Sequence, residues 1–320
     1  MPVKISDALP ARAILEQENI FVMTEKRALS QDIRPLRLLI LNLMPLKSKT
    51  ETSLLRRLSN TPLQIEVDFL RTATYTSTHA SAEYLETFYK TFEQAKSSTY
   101  DGLIITGAPV EQMEFEDVDY WQELCEIMEW ARKHVFATLF LCWGAQAGIY
   151  YHYGVKKYPL EQKMFGVFPH KVCVANTPLM RGFDDVFNAP HSRHTEVREK
   201  DVRAIPSLQI LATSTEAGLF MVASEDGRQV FIFGHPEYEA DTLASEYFRD
   251  KSKGLDIAVP RHYFPQDDES QPPTVSWYSH AQLLYTNWLN YYVYQTTPYD
   301  LSLLPQVDEE LRSPAAPKRI

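Results

Sequence analysis

Two short stretches of this chain carry side chains that could do covalent chemistry together. The first is "FLCWGAQAG", residues 140–148, where Cys142 follows an apolar run and leads into a helical pattern. A residue at a strand-to-helix junction of a parallel sheet stands at the sheet's carboxyl edge, where ligands bind. The positive end of the next helix lowers a thiol pKa from its free value of about 8.5. Gly144 leaves room for a tight turn and a substrate, and the backbone N–H of Trp143 can face a developing oxyanion. This is a nucleophile elbow with Cys in place of Ser. Taken alone, the stretch fits a buried structural thiol equally well.

The second stretch is "VFIFGHPEY", in which His235 also ends an apolar strand pattern and Glu237 lies two residues on. In extended backbone, residues i and i+2 point the same way. Glu237 can therefore reach one ring nitrogen while the other faces a thiol. A thiolate needs a base, and the base an orienting acid. Together the two stretches favour a Cys142–His235–Glu237 triad over a core thiol and a surface turn. Cys125, in an amphipathic helical pattern, and Cys173, in a strand pattern, read as buried structural residues. "HSRH" offers His191 and His194, but no third ligand accompanies them, so no metal is expected.

These side chains need a frame. "RLLILNL" at 37–43 and "DGLIITGAP" at 101–109 read as buried strands, as does "FATLFLC"; "LQIEVDFL" at 63–70 alternates as a strand does. Between them, "SKTETSLLRRLSN", with Ser48 or Thr50 as N-cap, "AEYLETFYKTFEQA" and "YWQELCEIMEWARK" read as helices. The helix after Cys142 closes at Gly154. This β-α-β-α rhythm predicts an α/β fold with a mainly parallel sheet and helices on both faces. The second half reads as strands, "MFGVFPHKVCV", "LQILATS" and "AGLFMVASEDGRQVFIFG", the last folded at an Asp226-Gly227 hairpin. A helix follows, capped by Asp241 and stopped by Gly254, and then an aromatic-rich helix over 277–295.

Residues 1–35 read as an arm packed on the body, 36–300 as one catalytic domain, and 301–320 as a disordered tail. Of the 320 residues 44% are hydrophobic and 23% charged, ordinary globular composition. The net charge of -10 argues against nucleic acid as a partner. Three sparse cysteines suit a reducing compartment. No apolar run approaches the roughly 18 residues of a membrane helix, and the first residues lack the apolar core of a signal peptide. A cytoplasmic protein is expected.

"LCWGAQ" and "GHPEY" resemble the Cys and His-Pro-Glu motifs of class I glutamine amidotransferases. That resemblance implies a flavodoxin-like, three-layer sandwich carrying a Cys-His-Glu triad. "LPAR", "ENIFVM", "LNLMPLK", "DGLIITGAPVE", "CWGAQAG", "KMFGV", "PHSRHTEV" and "NWLNYYVYQ" narrow it further. In this order, from about Leu9 to about Tyr299, they resemble the homoserine O-acyltransferase family of methionine biosynthesis, in its amidotransferase-like branch. The family implies acyl transfer from an acyl-CoA to L-homoserine, with Cys142 as thioester nucleophile, His235 as base and Glu237 as its orienter. It implies oxyanion donation by the backbone amides of Trp143 and Leu46, the latter in the loop after a neighbouring strand. Arg249 matches the substrate-binding arginine and suits a carboxylate; Glu246, one helical turn earlier, suits the amine. Lys163 and Ser192 match other substrate positions.

Succinyl users of the family typically carry glycine where this chain has Glu111. A glutamate there repels and crowds a succinyl carboxylate, and leaves acetyl unaffected. The resemblance therefore implies acetyl-CoA as co-substrate, no cofactor, and a homodimer. Succinyl transfer is the nearest alternative. Glutamine hydrolysis is the more distant one, and "ITGAPVE" departs from the double-glycine oxyanion loop of such enzymes.

Overall fold

Apolar runs without alternation make the centre of the main sheet, because strands covered on both faces need no polar side. The structure, a computed structural model, describes residues 3–5, 22–24, 35–74, 81–174, 176–298, 300, 301 and 304. Strands β1 (Val3–Ile5) and β2 (Val22–Thr24) pair in parallel on their own. The rest of the expected 1–35 arm, except Pro35, and nearly all of the expected 301–320 tail lie outside the described residues.

The body begins with β3 (Leu36–Leu41), α1 (Lys47–Leu58), β4 (Ile65–Leu70), α2 (Ala82–Phe88), β5 (Tyr89–Lys90) and α3 (Phe92–Ala95). It continues with β6 (Tyr100–Ile105), α4 (Trp121–His134), β7 (Val135–Leu141), α5 (Trp143–Tyr153), β8 (Lys157–Val172), β9 (Val186–Val197) and α6 (Glu199–Arg203). Strands β10 (Leu208–Ser214), β11 (Gly218–Ser224) and β12 (Gln229–Ile232) follow, then α7 (Thr242–Ser252) and α8 (Tyr278–Asn287), which runs on as a π-helix over Trp288–Tyr294.

The ten-stranded sheet has the order β5-β4-β3-β6-β7-β12-β11-β10-β8-β9. From β5 to β12 all pairs are parallel; from β12 to β9 all are antiparallel. Alternation within each strand divides the core. Leu39, Leu41, Ile105 and Phe140 face a layer holding Leu124, Ile127 and Trp143 of α4 and α5. Leu38, Ile40, Ile104 and Leu139 face Leu54 and Leu58 of α1, Leu284 and Tyr285 of α8, and Trp288. This is the three-layer α/β sandwich expected.

Several local expectations need correction. Helix α1 starts at Lys47 with Leu46 as N-cap and no side-chain cap, so neither Ser48 nor Thr50 caps it. The hydroxyl of Thr50 instead bonds back to Leu46 O at 3.4 Å. "AEYLETFYKTFEQA" breaks into α2 and α3, because Tyr89 and Lys90 pair with Phe69 and Leu70 as an edge strand. Lys90 is further fixed by Asp68 at 2.7 Å. Asp241 stands at the N-cap of α7 but makes no side-chain cap bond. Cys173 is exposed, just past the end of β8, and Cys125 is only partly buried. Gly154 and the Asp226-Gly227 hairpin stand as expected.

Candidate active site

Four sheet neighbours, β3, β6, β7 and β12, end at the same edge, and the loop after each contributes to one cleft of about 560 Å³. The cleft opens where the chain, after winding outward through β4 and β5, crosses β3 and continues on its other side. That is the switch point at which open α/β sheets bind ligands.

Cys142 is the single residue between β7 and α5. Its backbone has φ 50 and ψ -115, a conformation that costs a non-glycine residue of order 1–3 kcal/mol and clusters at active sites. Its N–H is tied to Ile232 O on β12 at 2.7 Å. The neighbouring glycine is sterically required: a Cβ on Gly144 would lie 2.6 Å from Thr106 O and 2.8 Å from Ile105 O. Gly107, after β6, is held against the thiol, its added Cβ falling 3.2 Å from Cys142 Cβ and 3.7 Å from His235 Cε1.

His235 reaches the same point from β12. Its N–H bonds Pro190 O at 2.8 Å, tying the loop to β9. Nδ1 lies 2.8 Å from Glu237 Oε1, and Cys142 Cβ and the ring's Cε1 both flank Gly107. Burial disfavours the imidazolium, but the negative charges of Cys142 and Glu237 outweigh it, and the ring is held well above the ordinary 6.5. The three residues form a nucleophile–base–acid line.

Trp143 is the first residue of α5 and Leu46 the N-cap of α1, so the N–H of each has no intrahelical partner. The indole of Trp143 is buried in the core, leaving its amide as the group near the thiol. The loop that carries Leu46 is locked. Lys47 Nζ donates to Asn42 O at 2.5 Å, Asn42 Nδ2 to Lys47 O at 3.3 Å, and Met44 N–H to Asn42 Oδ1 at 3.1 Å.

The cleft's far wall comes from β8, β9 and α7. Glu246 Oε2 accepts from Ser192 Oγ at 2.6 Å and pairs with Lys163 Nζ at 3.4 Å. Glu246 does not pair with Arg249, although one turn separates them. Arg249 instead grips Asp250 with two nitrogens, at 2.6 and 2.8 Å, and lines the cleft. Glu111 lines it too, accepting the His194 N–H at 3.3 Å. Burial raises its carboxyl above the usual range, while His194, His235 and Lys163 pull it back.

Residues 2–299 match the family described as homoserine O-succinyltransferase. The chain belongs to that family. Within it, a protein from Brevibacillus brevis named homoserine O-acetyltransferase is 59% identical over 302 residues, 94% of this chain and 99% of the relative. Proteins of the same name from Geobacillus kaustophilus and Acetivibrio thermocellus are 61% and 58% identical over 94% and 95% of this chain, and 99% and 100% of themselves. Among solved structures, a glutamine amidotransferase from Thermotoga maritima superposes with a TM-score of 0.52 at 14% identity, over 80% of this chain and 97% of that one. One from Methylobacillus flagellatus gives 0.50 at 13%, over 84% and 99%. At such identities they speak for the fold alone, which is amidotransferase-like.

The residues that the homoserine O-acyltransferase resemblance pointed to thus line one cleft, except Trp143, which directly follows Cys142 with its side chain in the core. Strand β9 turns His191 and His194 to opposite faces. Its even neighbours, Ser192 and His194, face the cleft, while His191, Arg193 and Thr195 are buried behind it. Among the described residues no group of three His, Cys, Asp or Glu could hold a metal, and no helix is long and apolar enough to cross a membrane. Sequence reasoning missed His194 as the neighbour of Glu111, and Tyr238, whose ring stacks on that of His235. Both lie inside motifs already singled out, "HSRH" and "GHPEY". Only the pleat of β9 and the turn after β12 reveal what they touch.

Proposed function

We propose that this chain transfers the acetyl group of acetyl-CoA to the hydroxyl of L-homoserine, through a thioester on Cys142. The observation that carries this reading is the Cys142–His235–Glu237 line in the cleft of a chain that matches homoserine O-acetyltransferases nearly end to end. The thiolate attacks the thioester carbonyl, and the amides of Trp143 and Leu46 hold the oxyanion. His235 gives its proton to the departing CoA sulfur. Homoserine then enters, its hydroxyl proton passes to His235, and its oxygen attacks the acyl-enzyme. Collapse releases O-acetyl-L-homoserine and restores Cys142. Arg249 takes the homoserine carboxylate in exchange for Asp250, and Lys163, Ser192 and Glu246 frame its amine. No cofactor takes part in this route.

Glu111 selects the short acyl group. Its carboxylate borders the cleft, where a succinyl carboxylate would meet like charge at low dielectric. Succinyl transfer is the second reading, favoured by the description of the matching family. The same reading carries a cytoplasmic homodimer as its setting.

One assay tests donor, acceptor and reaction class together. Purified protein is given homoserine with acetyl-CoA or with succinyl-CoA, and separately glutamine alone. O-acetylhomoserine as the dominant product, with parallel double-reciprocal plots, is expected. Faster use of succinyl-CoA would overturn the acetyl assignment, and ammonia from glutamine the transferase itself. Intact mass under acetyl-CoA alone should show an acetyl adduct that Cys142→Ala lacks.

A further inference from the structure

One aromatic side chain in the cleft has no part in the route above. Tyr238 closes the "GHPEY" stretch, and its ring lies 4.1 Å from that of His235, centroid to centroid, only 15° from parallel. Beyond the imidazole its hydroxyl donates to Glu246 Oε1 at 3.0 Å. The other Glu246 oxygen is already taken by Ser192 and Lys163. Tyr238 cannot drift. Its N–H bonds His235 O at 3.2 Å, and its carbonyl accepts from Trp277 Nε1 at 3.0 Å and Arg57 Nη2 at 3.3 Å. A single rigid side chain thus touches both the general base and the acidic group of the far wall.

Each contact has a distinct physical consequence. The stack fixes the plane of the imidazole, since a rotated ring would lose the tyrosine face and Glu237 together. It also sets an aromatic face against a ring that becomes cationic during turnover, an attraction that grows when water is excluded. The hydroxyl fills one of the two oxygens of Glu246 and so fixes where its negative charge points.

We propose that Tyr238 is a positioning residue that couples the acceptor-binding carboxylate of Glu246 to the orientation of the general base His235. The proposal rests on the acyl-transfer reading, with homoserine as the acceptor. It divides the two jobs between two parts of one side chain: the hydroxyl governs capture of the acceptor, and the ring governs the chemical step.

The test uses the full chain with Tyr238→Phe and Tyr238→Leu. Acetylation of Cys142 by acetyl-CoA is followed by intact mass, and transfer to homoserine by steady-state kinetics. In Tyr238→Phe the KM for homoserine should rise about tenfold or more, as loss of a hydrogen bond to a charged group implies, with kcat changed far less. In Tyr238→Leu, kcat at saturating homoserine should fall as well. Acetylation of Cys142 in Tyr238→Phe reports that fold and thiol are intact, so this variant decides the matter even if Tyr238→Leu does not fold. A homoserine KM left at the wild-type value in Tyr238→Phe would overturn the proposal, as would a fall in kcat there as large as the rise in KM. Failure of the wild-type protein to make an O-acylhomoserine would instead overturn the function on which it rests.

Discussion

Glu237 Oε1 lies 2.8 Å from Nδ1 of His235, two residues back along the same stretch. A carboxylate on Nδ1 fixes the tautomer that turns Nε2 toward Cys142, and it stabilises the ring once protonated. Glu237→Gln keeps the shape and removes the charge. We expect kcat to fall about a hundredfold or more, the usual weight of a general base, with little change in thermal midpoint. Turnover measured by CoA release decides it, and a variant within a few-fold of wild type would remove Glu237 from the triad.

How much of this could be read from the chain depends on which forces fixed each part. Strands β6 and β7 are buried on both faces, so their apolar runs announce them. Strand β9 gives no such signal. It turns His191, Arg193 and Thr195 inward and Ser192 and His194 to the cleft, so neither face is apolar there. The inward polar groups are satisfied by long-range partners: Arg193 Nη2 donates to Ala217 O at 2.5 Å, and Thr195 Oγ1 to Gln146 Oε1 at 2.8 Å. The split at Tyr89 is likewise set by pairing with β4, a tertiary contact that overrides helical spacing.

The triad was legible in pieces. Glu237 stands two residues from His235, a spacing that strand geometry reads directly. That Cys142 meets His235 follows only from the pairing of β7 with β12, where Leu141 lies opposite Ile232. The engagement of Glu246 by three donors from β8, β9 and the turn after β12 had no local signature. Its helical neighbour Arg249 is engaged by Asp250 instead.

The nucleophile turn yields a prediction about packing. Gly144→Ala places a methyl group 2.6 Å from Thr106 O and 2.8 Å from Ile105 O, both backbone atoms of the β6 edge. Relief requires α5 to move away from β6, which displaces Cys142. Overpacking of this kind costs about 1–3 kcal/mol. Thermal unfolding should show a lowered midpoint, and acetyl-CoA should no longer acetylate Cys142 at the wild-type rate. A variant with wild-type midpoint and rate would mean that the elbow is looser than these distances require.

A buried histidine pair beside the site predicts an acid-side loss of stability. His170 and His191 stack, with their Nε2 atoms 2.9 Å apart. Burial lowers His170 from 6.5 to about 3, and it lowers His191 well below 6.5, with His170 and Arg193 adding to the effect. Both are therefore neutral when folded and take up protons on unfolding below 6.5. Their folded-state pKa values are depressed, so their contribution is complete above 6.5 and drains away as pH falls, down to about 3 for His170. Denaturant midpoints for wild type and His170→Gln should differ most near neutral pH and converge toward pH values well below 6.5. A gap independent of pH would sink the idea.

The last prediction concerns the acyl group. Glu111 reaches the cleft from the loop after β6, where its backbone carbonyl accepts from Lys157 Nζ at 2.6 Å and its carboxylate from the His194 N–H at 3.3 Å. Lys163 and His194 both act on its charge. Glu111→Gly removes the anion and the bulk while leaving those groups in place, so the emptied space becomes electropositive. A succinyl carboxylate then finds room and favourable charge where it had met repulsion. Acetyl, with neither charge nor length, gains nothing and loses one wall. The ratio of kcat/KM for acetyl-CoA over succinyl-CoA should fall by about a hundredfold or more, since one close like-charge contact at reduced dielectric amounts to several kcal/mol. The sign is fixed by side-by-side assays of the two donors on homoserine. If the ratio stays at the wild-type value, Glu111 does not read the acyl chain, and the selectivity must come from elsewhere in the cleft.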